Sequence, residues 1–406
     1  MRWLVLVAAA MLTSARARGA GFELAEQSPE AVGTAGAQTA DAYAAAAVYY
    51  DPAALAFQPG LTVQAGADVI AYRGSAASST GGETRAWSNA ATPTVFVSQR
   101  LGARLAVGIG VFDPFARSIA YPSDWPGRAV GVALDLRAVA VNPSVALRPL
   151  PWLAIGFGVD IVATTLHYAR AADSGAIFAV DASATGFGGN AAILVRVLRR
   201  WLDVAVSYRS ALDVDLGGHA SAALDARATL PLPHALAFAL ASRPLDGLTL
   251  TADVRLTLWR DLSALTINLT DPMLRQPPAS ETVALDWQDT VGVRVGAAWR
   301  WWRDADGAPR LTARLGAGWE QAPTSPAHGS PLFADGDRVL VGAGGGVRLG
   351  ALSLDVGYLA AIAGSYVGAS GSFVARYQAV THTIAVALTL RLPDVPRRLD
   401  EPDFKR

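Results

Sequence analysis

The sequence predicts an all-β protein, a transmembrane antiparallel β-barrel of about 14 strands with an N-terminal hatch, or plug, inside its lumen. Three observations predict this fold. The chain begins with an export signal, most of it alternates between apolar and polar residues with a period of two, and short turns alternate with longer connections. We expect a signal peptide at residues 1–19, the hatch at 20–60, the barrel at 61–392 and a polar C-terminal tail at 393–406.

The first residues have the parts of a secretory signal. Arg2 supplies the positive start, Leu4 to Leu12 form an apolar core, and both Ala15-Arg16-Ala17 and Ala17-Arg18-Gly19 offer small residues for cleavage. An apolar core this short cannot cross a bilayer as a helix, which takes about 20 residues, so a retained N-terminal anchor is disfavoured. The chain is therefore predicted to be exported.

The composition indicates a membrane protein without long apolar helices. Hydrophobic residues make up 52% of the chain and charged residues only 17%, yet the apolar residues are dispersed. Such dispersion is typical of strands that turn one side to lipid. The 34 basic and 34 acidic residues balance, so nothing indicates nucleic-acid binding. There is no Cys, and the five His lack the spacing of metal ligands, so we expect no disulfide, metal site, cofactor or catalytic residue.

Alternation with a period of two is the main structural signal. In Leu248–Leu258 the even positions are apolar, while the odd ones are Thr, Asp and Arg. A strand places these two sets on opposite faces. The same division recurs in Val291–Trp301, Leu311–Trp319 and Ile384–Leu392. Alternation alone also fits a soluble sandwich or propeller, in which the apolar face packs against another layer.

The lengths of the connections favour the membrane barrel. The predicted short turns are Leu101–Ala103, Pro149–Pro151, Arg199-Arg200, Arg243–Gly247 and Gly350-Ala351. The predicted long connections are Arg73–Ala91, Asp113–Gly131, Ala171–Ala184, Leu262–Asp286 and Gln321–Asp335. Short periplasmic turns and longer extracellular loops are typical of outer-membrane barrels.

Aromatic residues near the predicted strand ends indicate an interfacial girdle, although packing in a core is the alternative. These residues are Trp152, Tyr168, Trp201, Trp259, Trp299, Trp301, Trp302 and Trp319.

The segment from Gly21 to Gly60 is rich in Ala and Gly and lacks alternation. A barrel of this size encloses a lumen too wide for its own side chains to fill, so a compact plug fits there. A disordered extension is the alternative, but the aromatic residues from Phe22 to Phe57 argue against it. Gly342–Gly346 lies inside an alternating strand, which favours close packing against the hatch or a bend in the barrel.

Several short stretches, taken in order, resemble the FadL family of outer-membrane transporters. They are Gly21–Ser28, Asp51–Leu55, Asp113–Phe115, Tyr121–Arg128, Val141–Ala146, Val206–Ser210 and Trp287–Thr290. The resemblance implies a fourteen-stranded barrel with an N-terminal hatch, in the Gram-negative outer membrane. It also implies passive uptake of long-chain fatty acids or other hydrophobic compounds, including aromatic hydrocarbons. The substrate would be captured at the extracellular loops and released sideways through the barrel wall, in steps connected by hatch movement.

The resemblance also implies site residues and partners. Hatch and gating roles fall on Phe22, Asp51, Pro52 and Ala53; substrate contacts are expected at Arg170, Phe115 and Trp125. The expected partners are a hydrophobic small molecule, outer-membrane lipid and lipopolysaccharide, and the barrel-assembly machinery during biogenesis. We expect a monomer that is not an enzyme and does not bind nucleic acid.

The chain departs from the family pattern in four places. Asp51 stands where the family has Asn, and the connection Ala171–Ala184 is short. Ser280–Trp287 lacks Lys and Arg where a basic group helps to hold a carboxylate, which leaves Arg170 or Arg275 as substitutes. The chain also continues past its last strand into a charged tail.

A general diffusion porin for small polar solutes is the alternative function. Such porins sort ions with lumen charges, and Arg255, Arg294 and Asp253 would supply them here. A barrel lipase is a further alternative because Ser and His are present, although no Gly-x-Ser-x-Gly elbow occurs.

Overall fold

The structure is a computed structural model that describes residues 21–393, except 43, 79–80, 199–200, 222–223, 272–278, 304–308 and 334. The predicted signal peptide, Arg199-Arg200, Arg275 and the predicted tail beyond Pro393 lie outside the described residues. Among the described residues, no helix is long and apolar enough to cross a bilayer.

One antiparallel sheet closes on itself and forms the barrel. Its first ten strands are β1 Leu61–Ser78, β2 Gly82–Arg100, β3 Leu105–Ala120, β4 Ala133–Leu150, β5 Leu153–Ala171, β6 Ile177–Leu198, β7 Leu202–Arg209, β8 Leu212–Ala220, β9 Leu224–Leu232 and β10 His234–Leu245. The others are β11 Leu248–Leu258, β12 Ala264–Thr270, β13 Ala279–Ala284, β14 Thr290–Arg303, β15 Pro309–Glu320, β16 Arg338–Leu349, β17 Leu352–Ser370 and β18 Phe373–Leu392.

Four crossings of the barrel wall are each divided into two strands. These crossings are β7 with β8, β9 with β10, β11 with β12, and β13 with β14. The wall therefore has 14 crossings, as the sequence predicts. The strand β1 pairs antiparallel with both β2 and β18, which closes the barrel.

The two faces of the strands follow the alternation in the sequence. In β11, Thr249, Thr251 and Asp253 are buried toward the lumen, whereas Leu250 and Val254 are exposed on the outer surface. A large set of exposed Leu, Val and Ile side chains covers the outside of the other strands in the same way. This arrangement confirms the membrane barrel, because a soluble sandwich would bury its apolar face.

Four of the predicted long connections are shorter than expected, whereas the fifth, Gln321–Asp335, lies wholly between β15 and β16 as predicted. The prediction for Arg73–Ala91 is wrong, because β1 runs to Ser78 and β2 resumes at Gly82. The strands β3, β5 and β6 likewise extend into the stretches 113–131 and 171–184, and β12 and β13 lie within 262–286. These strand extensions lie above the membrane and are polar, so their composition resembles that of loops. Their backbone groups nevertheless keep their hydrogen bonds with neighbouring strands.

The predicted aromatic girdle is correct only in part. Trp152, Trp201, Trp299, Trp301 and Trp302 are exposed beside the periplasmic turns, as an interfacial girdle requires. Two other members were predicted wrongly. Trp259 is only 1% exposed and Tyr168 only 2%, because both pack inside the barrel.

Residues 21–60, here called the hatch segment, lie inside the lumen and are nearly all buried. The segment contains the short helices α1 Pro29–Gly33 and α2 Ala47–Tyr50, with 3-10 turns at Thr39–Asp41 and Pro52–Phe57. Ser28 caps α1 by accepting the Ala31 N–H through Oγ at 3.3 Å. With Pro at its first position, α1 starts where the chain turns along the wall.

Glycines on the inner wall let the hatch backbone approach closely. A Cβ on Gly342 would come within 2.6 Å of the Val32 carbonyl oxygen, and one on Gly316 within 2.1 Å of the Thr34 carbonyl carbon. Gly156 faces Pro52 and Ala53 in the same way. These contacts confirm the prediction that the glycine-rich stretch in β16 packs against the hatch.

Candidate functional site

The barrel wall is interrupted between β2 and β3. Backbone pairing of these strands covers only Val95–Arg100 with Ala106–Val111. Above that point, residues 82–94 of β2 and 112–120 of β3 are not paired with each other in the described structure. A register shift between Phe112 and Phe115 in the pairing of β3 with β4 places a bulge at Asp113-Pro114, just beyond the last residue pair of β2 and β3. We call this opening the β2–β3 gap.

The hatch segment binds the unpaired edge of β3 from inside the lumen. The Leu24 N–H donates to the Pro114 carbonyl oxygen at 2.9 Å, and the Ala116 N–H donates to the Phe22 carbonyl oxygen at 3.0 Å. Gln27 Nε2 donates to the Asp113 carbonyl oxygen at 2.8 Å. The backbone groups that β2 leaves unpaired at the bulge are therefore satisfied by the hatch.

A cavity of about 270 Å³ lies where the hatch meets the gap. Its walls include residues 88–92 of β2, residues 116–118 of β3 and residues 21–24 of the hatch. Ser88 Oγ donates to the Ser118 carbonyl oxygen at 2.6 Å, a contact that spans the gap. Sites for drug-sized ligands enclose about 300–1,000 Å³, so this cavity is small for a large solute while the hatch stays in place.

Phe22 is the centre of an aromatic cluster above the hatch. Its ring centroid lies 4.8 Å from that of Trp259, 5.4 Å from Trp287, 6.0 Å from Phe115 and 6.4 Å from Phe333. We call these five residues the aromatic nest; all are nearly fully buried. The nest joins the hatch to β3, to the connections after β11 and β13, and to the loop between β15 and β16.

Ion pairs fasten the upper part of the hatch to the wall. The Glu23 carboxylate pairs with Arg255 and accepts from Thr257 Oγ1 at 3.0 Å. The Gly21 N–H donates to Asp335 Oδ2 at 2.8 Å, which ties the start of the segment to the loop after β15. Burial raises the pKa of the Asp335 carboxyl.

A second set of ion pairs continues across the middle of the lumen. Glu26 lies 4.0 Å from Arg294, which also pairs with Glu320 on the neighbouring strand. Burial and the Glu320 charge raise the pKa of the Glu26 carboxyl. Such pairs position the hatch and resist separation, because removing one partner leaves a buried charge uncompensated.

The lower part of the hatch has its own attachments. Asp41 pairs with Arg243 at 2.9 Å and with Arg300 at 3.1 Å. The Thr39 N–H donates to Asp253 Oδ2 at 3.0 Å. The Thr39 contact gives Asp253, which a porin would use to sort ions, a structural role beneath the hatch.

Asp51 caps the 3-10 turn that starts at Pro52. Its Oδ1 accepts the Ala53 N–H at 2.9 Å, while Oδ2 is buried with no hydrogen-bond partner among the described residues. Burial raises the pKa of the Asp51 carboxyl to about 7, and the Ala53 hydrogen bond opposes that rise. The cap needs one acceptor oxygen, which an Asn also supplies.

The three predicted substrate residues do not lie together. Phe115 belongs to the aromatic nest. Arg170 donates from Nε and Nη2 to the two oxygens of Glu281, at 2.6 and 2.8 Å. Trp125 stacks on Tyr121 with centroids 4.1 Å apart and donates to the Gly131 carbonyl oxygen at 2.8 Å, which orders the loop after β3.

Sequence reasoning missed most of the nest. The sequence predicts Trp259 in the girdle, places Trp287 only in a stretch that resembles the family, and gives no local signal for Phe333. The Asp113-Pro114 pair was the one available indication of the bulge, because Pro inside a strand lacks the ladder N–H.

Fold and site together define a closed outer-membrane β-barrel whose lumen holds its own N-terminal segment beside an interrupted wall. The family described as "Outer membrane protein transport protein (OMPP1/FadL/TodX)" matches residues 10–391. The chain belongs to this family, and it is an outer-membrane protein.

Relatives and solved structures agree with that membership. Outer membrane protein P1 of Haemophilus influenzae is 22% identical over 309 residues, which cover 66% of this chain and 64% of the relative. The match thus spans slightly less than two thirds of that relative's length.

The solved structures share the fold. A Pseudomonas aeruginosa FadL homologue has a TM-score of 0.80 at 18% identity, covering 91% of this chain and 99% of its own. The Pseudomonas putida toluene transporter TodX has a TM-score of 0.70 at 15% identity and covers 92% and 100%. The Ralstonia pickettii toluene transporter TbuX has a TM-score of 0.69 at 18% identity and covers 90% and 98%.

Proposed function

We propose that the protein takes up long-chain fatty acids or similar hydrophobic compounds passively, by capture at the extracellular loops, hatch movement and lateral release through the barrel wall. The observation that carries this proposal is the β2–β3 gap, which the hatch segment fills from inside and which adjoins a cavity. An opening in the barrel wall leads into lipid, so it gives a path to a hydrophobic solute and none to a polar solute. The toluene transporters TodX and TbuX share the fold.

The height of the gap fits release into the bilayer. An apolar band about 25 Å tall, crossed by strands tilted about 40°, takes about ten residues of each strand. Counting from Leu61, the band on β1 ends near Ala71, which pairs with Asn89 on β2. Pairing with β3 stops at Val95, which lies opposite Ala65. The gap therefore begins within the band and continues through its outer half.

The aromatic nest supplies an apolar region between the loops and the gap. Moving a CH₂ group from water into such a region gains about 0.8 kcal/mol, so a long alkyl chain or an aromatic ring is retained there. Phe22 occupies the centre of the nest, and its displacement would open space for a substrate and withdraw the hatch from β3. Binding and opening would then be one event. We propose the gating role of Phe22 on this basis, with Asp51, Pro52 and Ala53 holding the far end of the hatch in place.

Headgroup recognition is a separate question for a fatty acid. Arg170 is engaged by both oxygens of Glu281, so a substrate carboxylate must displace Glu281 to reach it. Phe115 lies in the nest and Trp125 in the loop above it, and both offer apolar contact. We propose that apolar length and shape dominate selectivity, with Arg170 as the contact for a carboxylate.

Uptake into proteoliposomes tests the function. A long-chain fatty acid or toluene should reach the membrane faster than in protein-free vesicles, while a sugar should not, and single channels should conduct few ions. Faster transfer of a fatty acid than of its methyl ester, lost in Arg170→Ala, would establish carboxylate recognition; equal transfer would establish shape alone. Sugar uptake and large ion conductance without uptake of apolar solutes would instead establish the diffusion porin.

We also propose that the protein works as a monomer inserted by the barrel-assembly machinery, because one barrel contains the whole cavity and the whole gap.

A further inference from the structure

An arginine-lined groove lies on the outer surface of β18, β1 and β2, just above the apolar band. Ten residues from Leu392 reach His382, which pairs with Ala71 on β1. The next outward position on β1 is Arg73, which lies opposite Trp87 on β2. The Trp87 side chain is 63% exposed, which is typical of the aromatic ring at a membrane boundary.

The groove combines an apolar floor with basic side chains. It has a volume of about 720 Å³, and its lining includes Arg73, Arg85, Trp87, Ile362 and Val380. Glu83 also lines it, farther from the membrane than Arg85. Arg376 flanks the groove on β18, opposite Ala77, with its side chain on the outer face.

The arginines of the groove differ from those of the lumen in their partners. Arg255, Arg294 and Arg314 inside the barrel all pair with carboxylates. In the part of the chain that the structure describes, neither Arg73 nor Arg85 has an acidic side chain within ion-pair distance, and the Arg376 guanidinium hydrogen-bonds to Ser365 Oγ, at 3.4 Å, with no carboxylate beside it.

Arg73 is nevertheless held in place. Its Nη1 donates to the Tyr72 and Ser88 carbonyl oxygens and to Asn89 Oδ1, at 2.7, 3.2 and 3.1 Å. This guanidinium is fixed at the membrane boundary and lacks a counter-charge, which a bound anion would supply.

Charge is unevenly distributed around the outside of the barrel. On the far side, the outward residues of β6, β8 and β9 at the same end include Asp181, Asp213, Asp215 and Asp225, with Arg227 as a basic exception. A phosphorylated lipid would therefore be attracted to one sector of the barrel and repelled from the other.

We propose that this groove is a binding site for the phosphorylated glucosamine headgroup and proximal acyl chains of lipid A, the membrane anchor of lipopolysaccharide. A free anion would need only the arginines, whereas the groove places them beside Trp87 and the apolar band. An amphiphile whose phosphates lie at the outer membrane boundary would contact both the arginines and the apolar surface beside them. The site is on the outer surface and is independent of transport through the lumen.

Native mass spectrometry of the delipidated mature protein with diphosphoryl lipid A tests the site. Wild type should bind one lipid A tightly, and Arg73→Ala/Arg85→Ala/Arg376→Ala should bind at least tenfold more weakly. The matched control Arg227→Ala/Arg260→Ala removes two exposed arginines elsewhere and should bind like wild type. Gel mobility before and after heating verifies that each variant is a folded barrel.

Competing lipids identify what the groove recognises. Dephosphorylated lipid A and phosphatidylglycerol should both bind more weakly than diphosphoryl lipid A. Equal binding of lipid A by wild type and the triple variant would overturn the site. Equal binding of phosphatidylglycerol, or displacement of lipid A by millimolar inorganic phosphate, would overturn its specificity for lipid A.

Discussion

Replacing Phe22 with Ala should release the start of the hatch from β3. The Phe22 side chain is 2% exposed and contacts four aromatic rings, so its loss leaves a cavity in the nest. Deleting a buried Phe side chain costs about 3–5 kcal/mol. The nest holds the backbone of residues 21–24 against the wall, so most of that cost should fall on the local docking of this segment.

Amide hydrogen exchange measures directly how often residues 21–24 separate from β3. The N–H groups of Leu24 and Ala116 donate across the contact between hatch and β3, and both are released when the segment opens. A loss of about 3–5 kcal/mol corresponds to exchange about 10²- to 10⁴-fold faster at these two amides. Barrel amides in β16 and β17 should exchange as in wild type.

Phe57→Ala is the matched control. Phe57 is also a buried hatch residue, but it lies at the other end, beneath the guanidinium of Arg196 at 3.8 Å. Its loss should leave the Leu24 and Ala116 amides protected. Unchanged exchange at these amides in Phe22→Ala, or equal acceleration in both variants, would refute the reasoning that the nest holds the hatch against β3.

Three further predictions concern the rest of the hatch. Deletion of residues 20–57 should leave an inserted barrel that leaks small solutes in liposome swelling, and a truncated barrel no leakier than the parent would show that the segment is no plug. Burial in the docked hatch raises the pKa of the Asp51 carboxyl from 3.8 to about 7, so the docked hatch favours the protonated form. The free energy that holds the hatch in the lumen should therefore fall by ~4 kcal/mol as pH rises from about 4 to 7, and stay constant above pH 7. Asp51→Asn should remove this dependence from hatch exchange rates measured between pH 4 and 8; a wild type without the dependence would contradict it. Gly316→Val should push the backbone at Thr34 away, since even a Cβ would lie 2.1 Å from its carbonyl carbon, and should raise the leak, whereas Gly350→Ala in an open turn should not.

Much of the fold was predictable because lipid and lumen impose opposite demands on successive residues. The alternation in Leu248–Leu258 identifies the faces without knowledge of any neighbour, and the strand number follows from its repetition. The strand ends were less predictable. Above the membrane both faces are polar, so Arg73–Ala91 looked like a loop although β1 and β2 stay paired there.

The site was predictable only where one local feature carried it. The cap at Asp51-Pro52 and the close approach at Gly342 each depend on a few adjacent residues. The aromatic nest combines residues from five separate parts of the chain, and the burial of Trp259 follows only from their meeting. The β2–β3 gap depends on hydrogen bonds that are not made, which no residue pattern encodes beyond the proline at 114.

Closing the β2–β3 gap tests lateral release most directly. The chain has no Cys, so Ser88→Cys/Ser118→Cys introduces one thiol on each side of the gap, where the native side chain and carbonyl are 2.6 Å apart. Ala76→Cys/Thr84→Cys, across the paired strands β1 and β2, is the matched control. A short thiol cross-linker should abolish fatty-acid or toluene uptake by the Ser88/Ser118 variant, leave the control active, and leave insertion of both unchanged. Full uptake through a barrel cross-linked at the gap would contradict lateral release at this site.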